Sequence, residues 1–337
     1  MPQTDLPRPR RRLPRAAVGL SVLLVLAGYV AVQRESSGGG APYCTATAVT
    51  GADASGRGGV LRSYEMTSEQ ASNAATVAAV GIVKGLPDRA VTIALATVMQ
   101  ESALRNIRYG DRDSLGLFQQ RPSQGWGTPA QIMDPVYSAG IFYDRLAEVP
   151  GYAELPLTVA AQKVQRSGFP DAYAKHEPDA AVLTAAFGAD GTLACSGPAP
   201  APGDPARVAA ELARVFGGEP AAGGDAPGTA SGTPDSPAAS DAVAPDAART
   251  GETELTVRTK RGGGPAEVRR GRVAASWAVA RARELGIARV SYGESGWTGG
   301  QDWGRWRRAD RVVVPGEGGP GTPEQGSGDE VRIFVAR

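Results

Sequence analysis

Glu101 closes a run of small and apolar residues that starts at Pro87. At helical pitch it shares a stripe with Ala90, Ala94, Thr97 and Val98. A carboxyl group pressed against apolar surface loses hydration, so its pKa rises. It then stays protonated near neutral pH and can hand that proton to a leaving oxygen, as cleavage of a glycosidic bond requires. The alternative, from spacing alone, is a glutamate that curls out at a helix end. Asp111 and Asp113 follow in a polar loop. Either could serve as a second carboxylate, activating water or forming a glycosyl intermediate. The other reading is a pair of loop aspartates making local hydrogen bonds. They do not open a calcium loop, because Leu115 falls at the fifth position and Pro122 at the twelfth. His176 is the only histidine, which excludes a multi-histidine metal site. No metal and no other cofactor is expected.

The order Gln100-Glu101-Ser102, then Gly116-Leu117-Phe118-Gln119-Gln120-Arg121-Pro122, resembles the soluble lytic transglycosylase pattern of the lysozyme-like superfamily. There a Glu-Ser pair closes a helix and a Gly-Leu-Met-Gln-x-Met-Pro segment follows. The resemblance covers roughly residues 64 to 190. More narrowly, Gln100 to Trp126, with Tyr109-Gly110-Asp111-Arg112-Asp113-Ser114 inside it, is similar to membrane-anchored actinobacterial lysozyme-like proteins. Some of those carry a heavy-metal-transporter label. One short apolar segment with no charge in it builds no polar path across a bilayer, so transport is discounted.

The resemblance implies a mainly α lysozyme-like domain and a lytic transglycosylase acting on the MurNAc-GlcNAc bond. Glu101 would be both acid and base, and the sugar's own C6 hydroxyl would close a 1,6-anhydro ring. Gln119 matches the family glutamine, and its amide suits an N-acetyl group or a sugar hydroxyl. Phe118 stands where the family often has methionine, as a cleft wall. Ser102 belongs to the Glu-Ser pair, and Trp126 would be a sugar platform. The third family motif is Ala-Tyr-Asn, whose tyrosine touches the catalytic glutamate. Its nearest counterpart is Ala160-Ala161-Gln162-Lys163, which puts Gln162 in the tyrosine's place; Tyr173, further on, resembles a different family tyrosine. Gln120 and Arg121 depart from the pattern; Arg121 either meets a stem-peptide carboxylate or stays solvated. These departures keep open a catalytically weak peptidoglycan-binding or scaffold protein, and Asp111 and Asp113 keep open a hydrolytic muramidase. Peptidoglycan glycan strands are the expected partner; no protein partner is indicated.

A net charge of +1 draws the chain to no nucleic acid. Arg8, Arg10, Arg11, Arg12 and Arg15 precede an uncharged run from Ala16 to Val32. That run is close to the lower limit of about 17 residues for a spanning helix. The arginines predict a cytoplasmic N-terminus, with the bulk of the chain outside the cell membrane. The rival is secretion after signal cleavage. The two cysteines, Cys44 and Cys195, bracket the proposed catalytic region. In an oxidising compartment they would form one disulfide; otherwise they are two unrelated thiols.

The chain therefore divides into a basic tail (1–15), a membrane anchor (16–33), a short linker (34–43), the lysozyme-like domain (44–197), a flexible Ala/Pro/Gly linker (198–250) and a small C-terminal α/β domain (251–337). Thr67-Ser68-Glu69-Gln70 reads as a capping box opening an Ala-rich helix to about Val83, which Gly85 ends before Pro87 starts the Glu101 helix. Helices are expected over Asp134–Leu146, Leu157–Val164 and Pro178–Phe187, with loop and short extended structure between Gly110 and Gln120. Residues 204–216 read as a short isolated helix in the linker. In the last domain strands are expected at Leu255–Lys260, Ala288–Tyr292 and Glu330–Val335, and an amphipathic helix at Ala274–Leu285 whose Arg281 and Arg283 reach solvent. Trp297, Trp303 and Trp306 would either stack on sugars or plug a small core.

Overall fold

The first described strand, β1 (Tyr43–Thr50), alternates small inward residues with outward threonines: Cys44, Ala46 and Ala48 are buried and Thr45 and Thr47 half-buried. It is the middle strand of an antiparallel sheet, flanked by β2 (Val60–Thr67) and β3 (Gly191–Ser196). The register sets Cys44 opposite Met66 on one side and Cys195 on the other. Cys44 and Cys195 are joined in a disulfide. The computed structural model describes residues 43–51, 58–188, 191–217, 221–223, 252–258, 264–293, 295–299, 307–308 and 330–337. The expected basic tail and membrane anchor lie outside them. Among the described residues no helix is long and apolar enough to cross a membrane.

Helix α1 (Ser68–Val83) begins at the expected capping box: Thr67 Oγ1 accepts from the Gln70 amide, and Gln70 Oε1 accepts from the Thr67 amide. Alanines let it pack on nearly every side, and Ala71 and Ala74 through Ile82 are buried. Gly85, at φ +75°, ends the turn beyond it, and α2 (Asp88–Ser102) follows, buried from Ala90 to Met99. The short α3 (Pro129–Ile132), α4 (Pro135–Ala147), α5 (Leu157–Gln165) and α6 (Glu177–Gly188) pack around this pair or against one another. Helix α6 also covers the β1–β3 sheet.

The region expected to be a flexible linker starts with structure. Helix α7 (Pro205–Phe216) is not isolated: Val208, Leu212, Val215 and Phe216 form a buried stripe, and the helix packs on α1. Four apolar residues at helical spacing make a face that gains more from burial than from solvation. Residues 224–250 of that expected linker lie outside the described residues. The last segment holds β4 (Ala221–Gly223), β5 (Glu252–Arg258), α8 (Pro265–Ala280), α9 (Ala282–Leu285), β6 (Ile287–Tyr292), β7 (Ser295–Thr298), β8 (Arg307–Arg308) and β9 (Glu330–Ala336). Its strands form one antiparallel sheet in the order β4-β5-β9-β6-β7-β8. Helix α8 lies on β6 and β9 and also packs on α1 and α6, so the described residues from Tyr43 onward form one compact unit.

One further expectation changes, and one open alternative is decided. Arg281 is buried, not solvated: it reaches Glu211 at 2.7 Å and Glu284 at 2.6 Å, and its guanidinium lies 4.9 Å from the Trp277 ring centroid. It is the charged hub where α7 meets α9, and three partners offset the loss of hydration. Trp297 is a core residue at 4% exposure, which leaves no face for a sugar. Trp303 and Trp306 lie outside the described residues.

Candidate active site

Glu101 sits in the last turn of α2, half-buried, on the wall of a cleft of about 1100 Å³. The Tyr173 hydroxyl donates to Glu101 Oε1 at 2.5 Å, and Gln165 Nε2 approaches the same oxygen at 3.4 Å. Burial raises the Glu101 pKa, and the Tyr173 and Gln165 hydrogen bonds lower it by less. Burial, with Glu101 beside it, pushes the Tyr173 phenol up, so Tyr173 stays a donor. Both donors converge on Oε1, which leaves Oε2 as the oxygen free to hold a proton when Glu101 is protonated.

The backbone around Glu101 is held in a costly shape. Among the described residues the non-glycine positions with positive φ are Ala103, Leu104, Arg112, Gln119 and Arg166. All but Ala103 and Leu104 line the cleft, and those two come directly after the Glu101-Ser102 pair. Such conformations cost of order 1 kcal/mol or more each and gather where geometry is functional. Their support is specific. Gln70 Nε2 donates to the Ala103 carbonyl at 2.9 Å, and the buried Asn73 donates to the Leu104 carbonyl at 2.8 Å. These bonds explain polar side chains in the Ala-rich α1, since a buried carbonyl without a donor is destabilising.

Several residues expected to touch substrate instead pack behind the cleft surface. The Phe118 side chain is fully buried and stacks on Phe142 with centroids 4.7 Å apart; only its carbonyl serves the site, accepting from Gln165 Nε2 at 2.7 Å. Ser102 donates to the Val98 and Leu117 carbonyls, which ties the Gly116–Gln119 turn to α2. Gln162 donates to the Ser167 carbonyl and is not among the residues lining the cleft. The residue beside Glu101 is Gln165, one turn later on α5, which spacing from the family motif did not single out. Gln119 does line the cleft; its Nε2 donates to the Gly116 carbonyl at 3.2 Å. Gly110 makes room for it, since a Cβ there would stand 1.8 Å from Gln119 Oε1. Trp126 lines the cleft too, but Arg145 covers one ring face at 3.5 Å from the centroid. The open aromatic is Phe169, 76% exposed on the cleft wall, a residue that no motif in the sequence marks.

Asp113 behaves as a loop fastener. It accepts from Arg121 Nε at 2.9 Å, from the Ser123 amide at 2.8 Å and from Ser123 Oγ at 3.0 Å. The Ser123 amide, with Arg121 next, holds its pKa well below the usual carboxylate range. Asp111 also lines the cleft, with its side chain 90% exposed. Arg121 is therefore engaged within the chain rather than waiting for a stem carboxylate. His176 lies beside the site, bonded to Gln100 Oε1 at 3.1 Å. Among the described residues no group of three or more His, Cys, Asp or Glu is placed to hold a metal ion. No protein-family model matches the sequence, and a search of curated proteins finds no match either.

Proposed function

We propose that the chain is a membrane-anchored peptidoglycan-cleaving enzyme, a lytic transglycosylase built on a lysozyme-like domain. The observation that carries this reading is one half-buried carboxyl group, its pKa raised by burial and its orientation fixed by a tyrosine, on the wall of a polar cleft. Glu101 Oε2 gives its proton to the bridging oxygen as the MurNAc C1–O bond breaks. The resulting carboxylate then takes the proton of the C6 hydroxyl as that oxygen bonds to C1. The anhydro ring closes, no water enters, and Glu101 ends protonated again. Tyr173 holds the carboxyl in place and steadies the charge that develops on it. Phe169 gives a sugar ring an apolar face, and Gln119 bounds the same space.

The Asp113 hydrogen bonds favour this single-acid route, because that carboxylate is spoken for. The second reading, a hydrolytic muramidase, draws on Asp111, which lines the same cleft. Action outside the cytoplasmic membrane, tethered by residues 16–33, is supported by the disulfide, which needs an oxidising compartment. The test is a mass spectrum of muropeptides released by the full chain. Anhydro ends are one water lighter than hydrated ends. Anhydro products that vanish in Glu101→Gln support the proposal; hydrated ends assign the muramidase, and no release by the wild type refutes both.

A further inference from the structure

The charges on the cleft wall do not cancel. Arg121 is matched by Asp113 at 2.9 Å, and exposed Arg112 faces exposed Asp111 at 3.9 Å. Burial disfavours the charged form of Glu101, which is bonded to Tyr173. Arg145, Lys163 and Arg166 remain, with Glu148 as the acid on the same wall. Among the described residues none of these three cations is within ion-pair distance of a carboxylate.

Arg145 is fixed rather than waving. Its Nη2 donates to the Gly125 carbonyl at 2.8 Å, and its plane is held over Trp126. Burial lowers its pKa first; Glu148 opposes that and Arg166 adds to it, so two guanidinium groups feel each other across this part of the cleft. Arg166 caps α5 in the left-handed region, at φ +51°, directly after Gln165, which touches Glu101. Arginine gains nothing from that conformation, where glycine or asparagine would be easier. Two cations on the wall of one cleft, one of them flattened on an aromatic ring, leave a gap in charge that an anion from outside the chain would fill.

We propose that Arg145, with Arg166 and Lys163, forms a carboxylate subsite that reads the acidic stem peptide carried by the glycan strand. This rests on the peptidoglycan reading above. A chain of N-acetylated sugars is neutral, so the carboxylates of its peptide branch are the groups that such a site can select. A guanidinium with one nitrogen committed to Gly125 keeps N–H groups free to grip both oxygens of a carboxylate.

The test uses the full chain carrying Glu101→Gln, so that binding is measured without turnover. It is titrated with a disaccharide-peptide bearing free carboxylates, the same compound fully amidated, an uncharged N-acetylglucosamine oligomer, and a phosphodiester wall polymer. The acid form should bind about ten- to a hundredfold tighter than the amide, as one charge-assisted contact supplies. Adding Arg145→Gln should erase that preference and leave the amide's affinity unchanged. Arg166→Gln, at the surface of the cleft, should weaken it in the same direction and serves if Arg145→Gln lowers the melting temperature. Equal affinity for acid and amide overturns the subsite while the glycan reading stands. Tightest binding of the phosphodiester polymer overturns the carboxylate assignment. Failure of all four probes ends the glycan reading itself, and the subsite with it.

Discussion

Replacing Tyr173 by Phe removes one oxygen atom and with it the 2.5 Å hydrogen bond to Glu101 Oε1. The ring is fully buried and keeps its packing, so the fold should survive. In the reaction Glu101 passes through a carboxylate, and a hydrogen bond to a charged group contributes about 1.5–3 kcal/mol. If that contribution is made mainly to the charged form, the rate falls roughly ten- to a hundredfold. The pH profile gives an independent reading. Glu101 acts as an acid, so activity is full below its folded pKa and falls as pH rises through it. The Tyr173 bond lowers that pKa against the larger effect of burial. Removing it raises the pKa, and the basic limb of the profile should move to higher pH. The assay is release of muropeptides from purified sacculi across a pH series, with a thermal melt as the control for folding. A wild-type rate with an unmoved limb, or a limb that moves to lower pH, would refute the account of how Tyr173 serves Glu101.

Glu101→Gln should cut release of muropeptides by at least about 10²–10⁴-fold, the usual reach of acid–base catalysis, with an unchanged circular dichroism spectrum. Asp111→Asn should leave most activity and still give anhydro ends, whereas Asp113→Asn should loosen the loop held through Arg121 and Ser123, seen as faster amide exchange there. Because the Asp113 pKa is depressed, its contribution is present above the unfolded carboxylate value and is lost as pH falls through the folded one, so the exchange difference should shrink in acid. Cys44→Ser with Cys195→Ser should lower unfolding stability by up to about 5 kcal/mol, read from denaturant melts, given a closed loop of 151 residues. Arg281→Ala should cost about 1–3 kcal/mol in the same melts, discounted because Glu211 and Glu284 keep some solvent contact.

Glu101 is legible through the Glu-Ser and Gly-Leu-Phe-Gln pattern, since its place on an Ala/Val stripe alone leaves an exposed helix end equally open, and the helices around it are legible because capping residues and glycine punctuate them. The β1–β3 sheet was not, although β1 alternates in period two. Alanine and threonine carry too little contrast for the alternation to stand out, and β3 pairs with β1 from far along the chain. Gln165 was passed over for Gln162 because the family motif gives a spacing, while the turn of α5 decides which glutamine faces Glu101. Phe118 looked like a cleft wall because the motif marks the residue and not the side of the backbone it leaves from. Arg281 was assigned to solvent because its two acidic partners come from α7 and α9, one of them far off in sequence. Helix α7 was read as isolated because an Ala/Pro-rich neighbourhood hides four apolar residues that make a face only when wound.

The cross-link between β1 and β3 also sets an order of events. Cys44 is made early and its partner 151 residues later. At ~5–20 residues per second, Cys195 is added about 8–30 s after Cys44. Through that interval the N-terminal thiol waits, and the inner strand of the sheet lacks one neighbour. No third cysteine exists to trap it within the same chain. With two cysteines, the one wrong disulfide the sequence allows is to another copy of the chain, and scrambling within one chain has no partner to use.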